Sequence, residues 1–315
     1  MTQLGKINTV TGTINAADLG RTLPHEHLFT DLRGPRVPGY AVANPTQVIS
    51  VMLPYLEELT ALGVTGLVEC STMGVGRNPL IMKALSEKSG MNIIAPTGVY
   101  REAYVPTDIR EKSVEELANL WTKDITTGID DTGIKAGFIK MAVSDDGITK
   151  LEAKNLEAAV ITSQETGAII ASRTIGGKLA QEEMALLEGY GLDLSSFIWT
   201  HAQSEPDHQF LLEAAKKGVY ISIDAIGSGW VPDEDMLDST IALIEAGYTD
   251  RILLSHDAGW YDPSQPYGQP LGSGIRGYTA LFTLFLPELR KRGINEEIID
   301  QITINNPGEA FSLRG

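Results

Sequence analysis

The sequence predicts an α/β fold, specifically a (β/α)8 TIM barrel formed by a single domain over residues 1–315. Two observations lead to this prediction. Strand-like apolar segments alternate with helical segments along the whole chain. The strand-like segments number eight, which is the number that closes a barrel of this class. An open, doubly wound sheet is the alternative that the same alternation allows.

The predicted strands share short runs of apolar and β-branched residues bounded by turn residues. In chain order they are TLPHEHLF (22–29), GLVECST (66–72), NIIAPTGVY (92–100), AGFIKMAVS (136–144), AIIASRT (168–174), FIWTHA (197–202), YISIDAIG (220–227) and RILLSHD (251–257).

The predicted helices carry apolar residues at helical spacing. They include PTQVISVMLPYLEELTALG (45–63), SVEELANLWTKDI (113–125), KNLEAAVITSQETG (154–167), DHQFLLEAAKKG (207–218) and DEDMLDSTIALIEAG (233–247). Several end in a residue that tolerates the left-handed conformation of a helix C-terminus, namely Gly63, Gly167, Gly218 or Gly247. The turn-rich segment 258–277 is predicted to form a loop over the barrel mouth.

Charge and composition disfavour several classes of function. The formal net charge of −16 disfavours nucleic acid and anionic membrane surfaces as partners, and favours a neutral or weakly charged small molecule. No segment has the roughly 18 consecutive apolar residues of a membrane span. The N-terminus lacks the pattern of a secretory signal, so the expected location is the cytoplasm. Cys70 is the only cysteine, so any metal must be bound through nitrogen and oxygen.

Potential metal ligands lie at the C-terminal ends of four predicted strands, the end at which barrel enzymes carry their active sites. They are His25 and His27 in the first strand, Lys140 in the fourth, His201 in the sixth and Asp257 in the eighth. Because alternate residues of a strand point the same way, His25 and His27 can reach one ion side by side. By the same alternation, His256 points away from Asp257 and is expected to pack or form hydrogen bonds. His208, in a polar helical segment, is expected at the surface.

Asp257 and Lys140 each place a charged group at the end of a buried strand, where the charge needs compensation. A metal or another cation would compensate Asp257. Near metal ions the Lys140 amine is favoured in its neutral form, which can add carbon dioxide to give a carbamate that bridges two cations. An ion pair of Lys140 with Asp257 or Glu69 is the alternative.

The ordered set of motifs resembles the phosphotriesterase-related proteins of the amidohydrolase superfamily, a family that includes the phosphotriesterase-like lactonases. The motifs are His25-x-His27, FIKMAVS with Lys140, THAQ with His201, ISIDAIG, LLSHDAGW with Asp257 and the terminal NNPGEAF, and together they cover essentially the whole chain. The resemblance implies a binuclear metal centre at the mouth of a barrel, and a homodimer.

The resemblance also implies a role for each matched residue. His25, His27 and Asp257 would bind the more buried metal, and His201 the more exposed one. A carboxylated Lys140, formed with carbon dioxide, would bridge the two ions. A metal-bound hydroxide would be the nucleophile, and Asp257 would orient it and accept its proton. Zinc is the expected metal, and Mn, Co or Fe also suit nitrogen and oxygen ligands.

Further residues near the strand ends are candidates for contact with the substrate. Tyr100 matches a tyrosine that the lactonase branch places beside the metals and the substrate carbonyl, and its alternative role is to close the barrel top. Four residues that follow the seventh and eighth strands are predicted to line an apolar pocket, or else only to pack: Ile226, Trp230, Trp260 and Tyr261.

Arg173 departs from the family pattern, in which a histidine of the fifth strand is the second imidazole on the exposed metal. Arginine keeps its proton and offers no lone pair, so it cannot replace that ligand. We therefore predict weak occupancy or loss of the exposed metal, one ion per chain instead of two, and impaired activity. Arg173 is expected to pair with Asp257 or with the Lys140 carbamate.

The function predicted from these residues is hydrolysis of a lactone or carboxylic ester, with phosphotriester hydrolysis as a side activity. The alternative from a different class is a weakly catalytic or non-catalytic barrel that binds an anion or another small molecule and has lost one metal. An amidase or deaminase is a further alternative within the superfamily, because fold alone does not choose the bond that is cleaved.

Overall fold

The strand positions predicted from the sequence form the wall of a barrel in the computed structural model, which describes residues 5–269 and 275–314. The strands of the wall are parallel and pair in two runs, β3 to β5 and β6 to β11. They are β3 (Thr22–Glu26), β4 (Gly66–Glu69), β5 (Asn92–Ile94), β6 (Pro96–Thr97), β7 (Phe138–Ala142), β8 (Ile170–Arg173), β9 (Phe197–Thr200), β10 (Tyr220–Ile223) and β11 (Ile252–Leu254). Strands β5 and β6 are two parts of the third predicted strand, divided at Ala95.

The first and last strands of the wall close the ring through hydrogen bonds near their C-terminal ends. The amide of Asp257 donates to the carbonyl oxygen of His25 at 3.3 Å. The amide of His25 donates to the Ser255 hydroxyl at 3.1 Å, and the amide of His256 donates to Glu26 at 2.9 Å. The predicted TIM barrel is therefore confirmed, and these closing contacts involve two residues predicted as metal ligands.

Helices surround the barrel, and they occupy every helical segment predicted above. They are α1 (Pro45–Ala61), α2 (Pro79–Ser89), α3 (Thr107–Arg110), α4 (Val114–Thr126), α5 (Lys150–Thr166), α6 (Gly177–Gly189), α7 (His208–Lys216), α8 (Asp233–Glu245), α9 (Leu286–Lys291), α10 (Glu296–Asp300) and α11 (Asn306–Ala310). Two π-helical segments, Leu281–Phe285 and Gln301–Asn305, lead into α9 and α11. In the described parts of the chain, no helix is both long enough and apolar enough to cross a membrane.

Local sequence explains where several helices begin and end. Helix α5 begins with a capping box, in which Thr149 and Glu152 each satisfy the other's backbone amide. It ends at Gly167, which has a φ of 72°. A Cβ atom there would lie 1.8 Å from the carbonyl oxygen of Arg314, so glycine is required both by conformation and by space. All four glycines predicted to end helices have positive φ angles.

Buried side chains form one layer between the strands and the helices and another inside the barrel. Along β9, Phe197 and Trp199 belong to the outer layer, whereas Ile198 belongs to the inner one. This alternation follows the two-residue period of a strand. The N-terminal β1 (Lys6–Thr9) and β2 (Gly12–Asn15) form an antiparallel hairpin that the sequence analysis did not predict. Ile7 of β1 extends the inner layer.

Candidate metal centre

All five predicted metal ligands line one cavity of about 90 Å³. Strand β3 ends between His25 and His27, and β9 and β11 end before His201 and Asp257. These side chains therefore stand at the mouth of the barrel. His201 and Asp257 leave their strands in the left-handed region, with φ angles of 65° and 50°. Non-glycine residues rarely adopt this conformation, and where they do it commonly marks a functional site.

Three of these side chains converge closely enough to hold one ion. Asp257 Oδ1 lies 3.3 Å from His25 Nε2 and 3.0 Å from His27 Nε2. The ligand atoms that these residues offer all lie within 4.8 Å of one another. Two imidazole nitrogens and a carboxylate oxygen suit a first-row divalent ion such as zinc. The donor set therefore fits the more buried metal of the predicted pair.

The electrostatics of this group favour a cation. Desolvation opposes the charged form of Asp257, but hydrogen bonds from His25 and His27 outweigh it and hold the pKa of this carboxyl well below its usual range. Burial lowers the pKa of His27, which favours the neutral imidazole that binds metals. Burial also acts to lower the pKa of His25, yet the neighbouring Cys70 and Asp224 raise it well above its usual value. The position of His25 therefore attracts positive charge.

Asp224 supports two of the imidazoles, a role that the sequence analysis missed. Its buried carboxylate accepts from His201 Nδ1 at 2.7 Å through Oδ1 and lies 3.2 Å from His25 Nδ1 through Oδ2. The His201 ring therefore keeps its Nε2 atom for the cavity, as is usual when a carboxylate orients a metal ligand. Desolvation acts to raise the pKa of Asp224, but the nearby His201 and His25 outweigh it and hold this pKa well below its usual range. The available signal was its position near the C-terminal end of the predicted seventh strand, one residue after the observed end of β10.

His256 points away from the cavity, as predicted, and helps to join the first and last strands. Its Nδ1 atom lies 2.7 Å from Glu26 Oε1, and its Nε2 accepts from the amide of Leu281 at 2.8 Å. The ring therefore donates through Nδ1. The other histidine outside the cavity, His208, begins α7, where its Nε2 atom lies 3.1 Å from the Ser239 hydroxyl.

Lys140 is buried in the cavity wall, and 2% of its surface is exposed. Its Nζ atom donates to the Thr200 hydroxyl at a long distance of 3.4 Å. Among the described residues it forms no ion pair with Asp257 or Glu69, so the predicted alternative is not found. Burial raises the pKa of Glu69 to about 8, which favours a neutral carboxyl at this position.

Arg173 lines the same cavity, but its partner differs from the prediction. The guanidinium pairs with Asp145 through a short contact from NH1, and NH2 lies 3.5 Å from Asp145 Oδ2. NH1 also donates to the carbonyl oxygen of Val143 at 3.3 Å. The expected pairing with Asp257 was wrong because Asp145, in the loop after β7, is a nearer carboxylate and leaves Asp257 to the imidazoles.

The residues predicted to contact substrate occupy different places. Tyr100 and Trp260 line the cavity, and the Trp260 ring lies edge-on to His27 at 5.9 Å. Trp230 is half-exposed and lies edge-on to His201 at 5.5 Å, beside a neighbouring groove. Ile226 and Tyr261 instead pack in the outer core, so the structure does not place them in the pocket wall. Both side chains turn toward neighbouring apolar groups, such as the Phe29 ring that stacks on Tyr261.

The described part of the predicted mouth loop is tied to the ligand-bearing strands. Arg276 donates to the carbonyl oxygen of Asp257 at 2.9 Å, and the hydroxyl of Tyr278, the first residue after the predicted loop, donates to that of His27 at 2.6 Å. Residues 270–274 of the predicted loop lie outside the described residues.

Comparison with known proteins places this barrel in a family. The model of the phosphotriesterase family matches residues 5–311. The chain belongs to the phosphotriesterase family. This family consists of binuclear metal enzymes, and the described residues include His/Asp groups that could hold a metal ion. The resemblance inferred from the ordered motifs is thereby confirmed.

Several relatives of this phosphotriesterase-family chain are similar over nearly its whole length. The aryldialkylphosphatase of Saccharolobus solfataricus is 30% identical over 306 residues, which are 95% of this chain and 97% of that protein. The N-acetyltaurine hydrolase of Mus musculus is 31% identical over 352 residues and covers 98% of this chain and 99% of its own length. A mutant PTE-like lactonase from Deinococcus radiodurans is 31% identical with a TM-score of 0.87, covering 97% of this chain and 100% of its own. The relatives bear out the prediction that this chain is a hydrolase.

Proposed function

We propose that the chain is a metal-dependent hydrolase of lactones or carboxylic esters, with phosphotriester hydrolysis as a side activity. The observation that carries this proposal is the convergence of His25 Nε2, His27 Nε2 and Asp257 Oδ1, at 3.0 and 3.3 Å, on one cavity. Zinc is the expected ion, and Mn, Co or Fe also suit these donors. When bound, such an ion polarises a carbonyl or phosphoryl oxygen and makes water more acidic.

The protein groups around the ion divide the remaining tasks. Asp257 holds its carboxylate charge and faces the cavity, so it is placed to accept a proton from an attacking water. Asp224 orients the His201 imidazole through a hydrogen bond and lies 3.2 Å from His25 Nδ1. Desolvation raises the pKa of Tyr100, which therefore stays a neutral hydroxyl able to donate a hydrogen bond to the substrate. Lys140 is proposed to carry a carbamate, whose oxygens would serve as ligands for a metal ion, including one on the exposed side of the cavity.

On the exposed side, Arg173 is proposed to weaken metal binding and to impair the activity. Only His201 and the carbamate would remain as protein ligands there, because the Arg173 guanidinium has no lone pair. Its charge also repels a divalent ion. The pairing with Asp145 holds this cation at the cavity without drawing Asp257 away from the imidazoles. One ion per chain is the expected stoichiometry.

The choice of substrate is supported by the family and by the chemistry of the cavity. One similar structure is named a lactonase, and another relative is named an aryldialkylphosphatase. A third is named an N-acetyltaurine hydrolase, so an amide is a further candidate substrate. The same attack by water serves planar carbonyl groups and tetrahedral phosphorus.

Elemental analysis of the purified protein, together with a screen of lactones, aryl esters, N-acyl amines and a phosphotriester, tests this proposal. We expect about one divalent ion per chain and turnover of at least one ester or lactone. Removal of the ion with a chelator should abolish turnover, and re-addition should restore it. His27→Ala should lose both metal and activity, whereas His208→Ala should keep both because His208 lies outside the cavity. Full activity in metal-free protein would contradict the proposal.

A non-catalytic or weakly catalytic anion-binding barrel is the second candidate. The observation in its favour is the Arg173 guanidinium in the wall of the cavity. Metal-free protein that turns over none of the substrates, yet binds acetate or phosphate in calorimetry, would support this candidate over the hydrolase.

A further inference from the structure

Two guanidinium groups share one carboxylate at the edge of the cavity. Arg173 pairs with Asp145 through NH1, and Arg101 NH1 lies 3.5 Å from Asp145 Oδ2. We refer to Arg101, Asp145 and Arg173 as the rim cluster. Only Arg173 of the three lines the cavity directly, whereas Arg101 follows the cavity residue Tyr100 in the chain.

The rim cluster carries an excess positive charge. Two permanently charged guanidinium groups face one carboxylate, so the formal sum is +1 in a chain whose net charge is −16. Within residues 5–269 and 275–314, neither arginine has a further ion pair. Of the two acidic residues adjacent to the cluster in sequence, Glu102 is paired with Arg110 at 2.8 Å, whereas Asp146 is exposed and forms no ion pair within the described residues. An anionic group of a substrate would therefore meet a site of opposite charge.

Arg101 also has an unused hydrogen-bond donor. Its Nε atom is buried and has no hydrogen-bond partner among the residues that the structure describes, and a buried donor in that state is costly. The guanidinium lies over the Tyr104 ring at 5.6 Å, and Tyr104 contacts Tyr100 edge-on at 5.4 Å. This arrangement holds the Arg101 side chain beside the cavity wall while its contact with Asp145 stays long.

We propose that the rim cluster binds an anionic carboxylate of the substrate while the ester or lactone group lies at the predicted metal ligands. Arginine is suited to this task because its planar donors match both oxygens of a carboxylate. The inference rests on the proposed hydrolase function and narrows its substrate class to esters, lactones or related acyl compounds that carry a negative charge remote from the bond that is cleaved.

Two matched substrates test the preference for charge. Mono-4-nitrophenyl glutarate has a free carboxylate at the end of its acyl chain, and methyl 4-nitrophenyl glutarate has the same chain with that charge masked. We expect the wild-type protein to prefer the anionic ester. In Arg101→Gln, the ratio of kcat/KM values, anionic over neutral, should fall at least tenfold, equivalent to about 1.4 kcal/mol. The fall should arise mainly from KM, because a remote charge is bound equally in the ground and transition states.

A matched control removes an arginine of similar type elsewhere. Arg290 of α9 pairs with Glu296 on the surface, so Arg290→Gln changes the net charge by the same amount without affecting the cavity. This variant should keep the wild-type ratio. An equal fall in both variants would assign the preference to net charge and overturn the inference.

The outcomes separate the inference from the proposed function. Turnover of the neutral ester without preference for the anionic one, and without an effect of Arg101→Gln on the ratio, would overturn the rim cluster and leave the hydrolase intact. Turnover of neither ester would count against the hydrolase on these esters. Calorimetry with glutarate then decides on the rim cluster, since equal or absent binding in the wild-type protein and in Arg101→Gln would refute it.

Discussion

Replacement of Asp224 by asparagine should weaken metal binding although Asp224 is not itself one of the predicted ligands. Its Oδ1 accepts from His201 Nδ1 at 2.7 Å and from Gln203 Nε2 at 3.0 Å. Its Oδ2 accepts from Ser222 at 2.7 Å and from the His201 amide at 3.1 Å, and lies 3.2 Å from His25 Nδ1. An asparagine has one oxygen and one NH2 group. In either orientation, its NH2 group therefore faces at least two neighbouring groups that are themselves hydrogen-bond donors.

The magnitude follows from the loss of the carboxylate that lies beside both rings. Loss of a carboxylate that orients a metal-binding histidine typically lowers metal affinity 10- to 100-fold, which corresponds to about 1.4–2.7 kcal/mol. We expect Asp224→Asn to lie in this range, because the ion expected at His25, His27 and Asp257 depends on the His25 ring, which lies 3.2 Å from Asp224 Oδ2 through Nδ1.

The assay is competition for zinc against a chromophoric chelator, with circular dichroism to confirm that the variant is folded. The control is Asp235→Asn, which removes the same charge from an exposed position on α8. A zinc affinity for folded Asp224→Asn within twofold of the wild-type value would refute the orienting role of this carboxylate.

Three further predictions concern the exposed metal, pH and the backbone. Arg173→His should raise metal content from about one toward two ions per chain and increase the hydrolytic rate at least tenfold, as measured by elemental analysis and kinetics; unchanged stoichiometry and rate would be contrary evidence. Burial raises the pKa of Glu183 from 4.5 to about 7, so the folded state holds this proton more tightly and stability should fall by up to about 3 kcal/mol as pH rises from 4.5 through 7. Denaturant titrations should show that Glu183→Gln flattens this fall, and a slope equal to wild type would rule out the assignment. Gly167→Ala should lower the Tm more than Gly247→Ala, since both positions have positive φ but only the Cβ at 167 meets backbone, at 1.8 Å from Arg314.

The fold was largely predictable because its signals are local. Most wall strands have an apolar centre such as the LV of β4 or the ILL of β11, and the glycines at helix ends mark the return to the next strand. The strands are shorter than predicted because their last residues leave the ladder, as His201 and Asp257 do with positive φ angles. The β1–β2 hairpin was missed because four-residue strands of mixed polarity lack a clear pattern.

The site was predictable only as far as position along a strand determines it. The meeting of the five predicted ligands in one cavity could be anticipated because the barrel brings the strand ends together. The role of Asp224 depends on distances to His25 and His201, from two other strands, which no local pattern contains. The partner of Arg173 was mistaken because several carboxylates lie near the mouth, and only the structure ranks Asp145 before Asp257.

The arrangement of supports explains how Arg173 is compatible with an otherwise intact group of ligands. Asp224 accepts a hydrogen bond from His201 Nδ1 and lies 3.2 Å from His25 Nδ1, so its contacts with both rings are independent of the strand-five position. Asp145 neutralises part of the Arg173 charge. A substitution on β8 therefore alters the exposed half of the cavity and leaves His25, His27 and Asp257 within reach of one ion. For this reason Arg173→His should change metal occupancy only on the exposed side of the cavity.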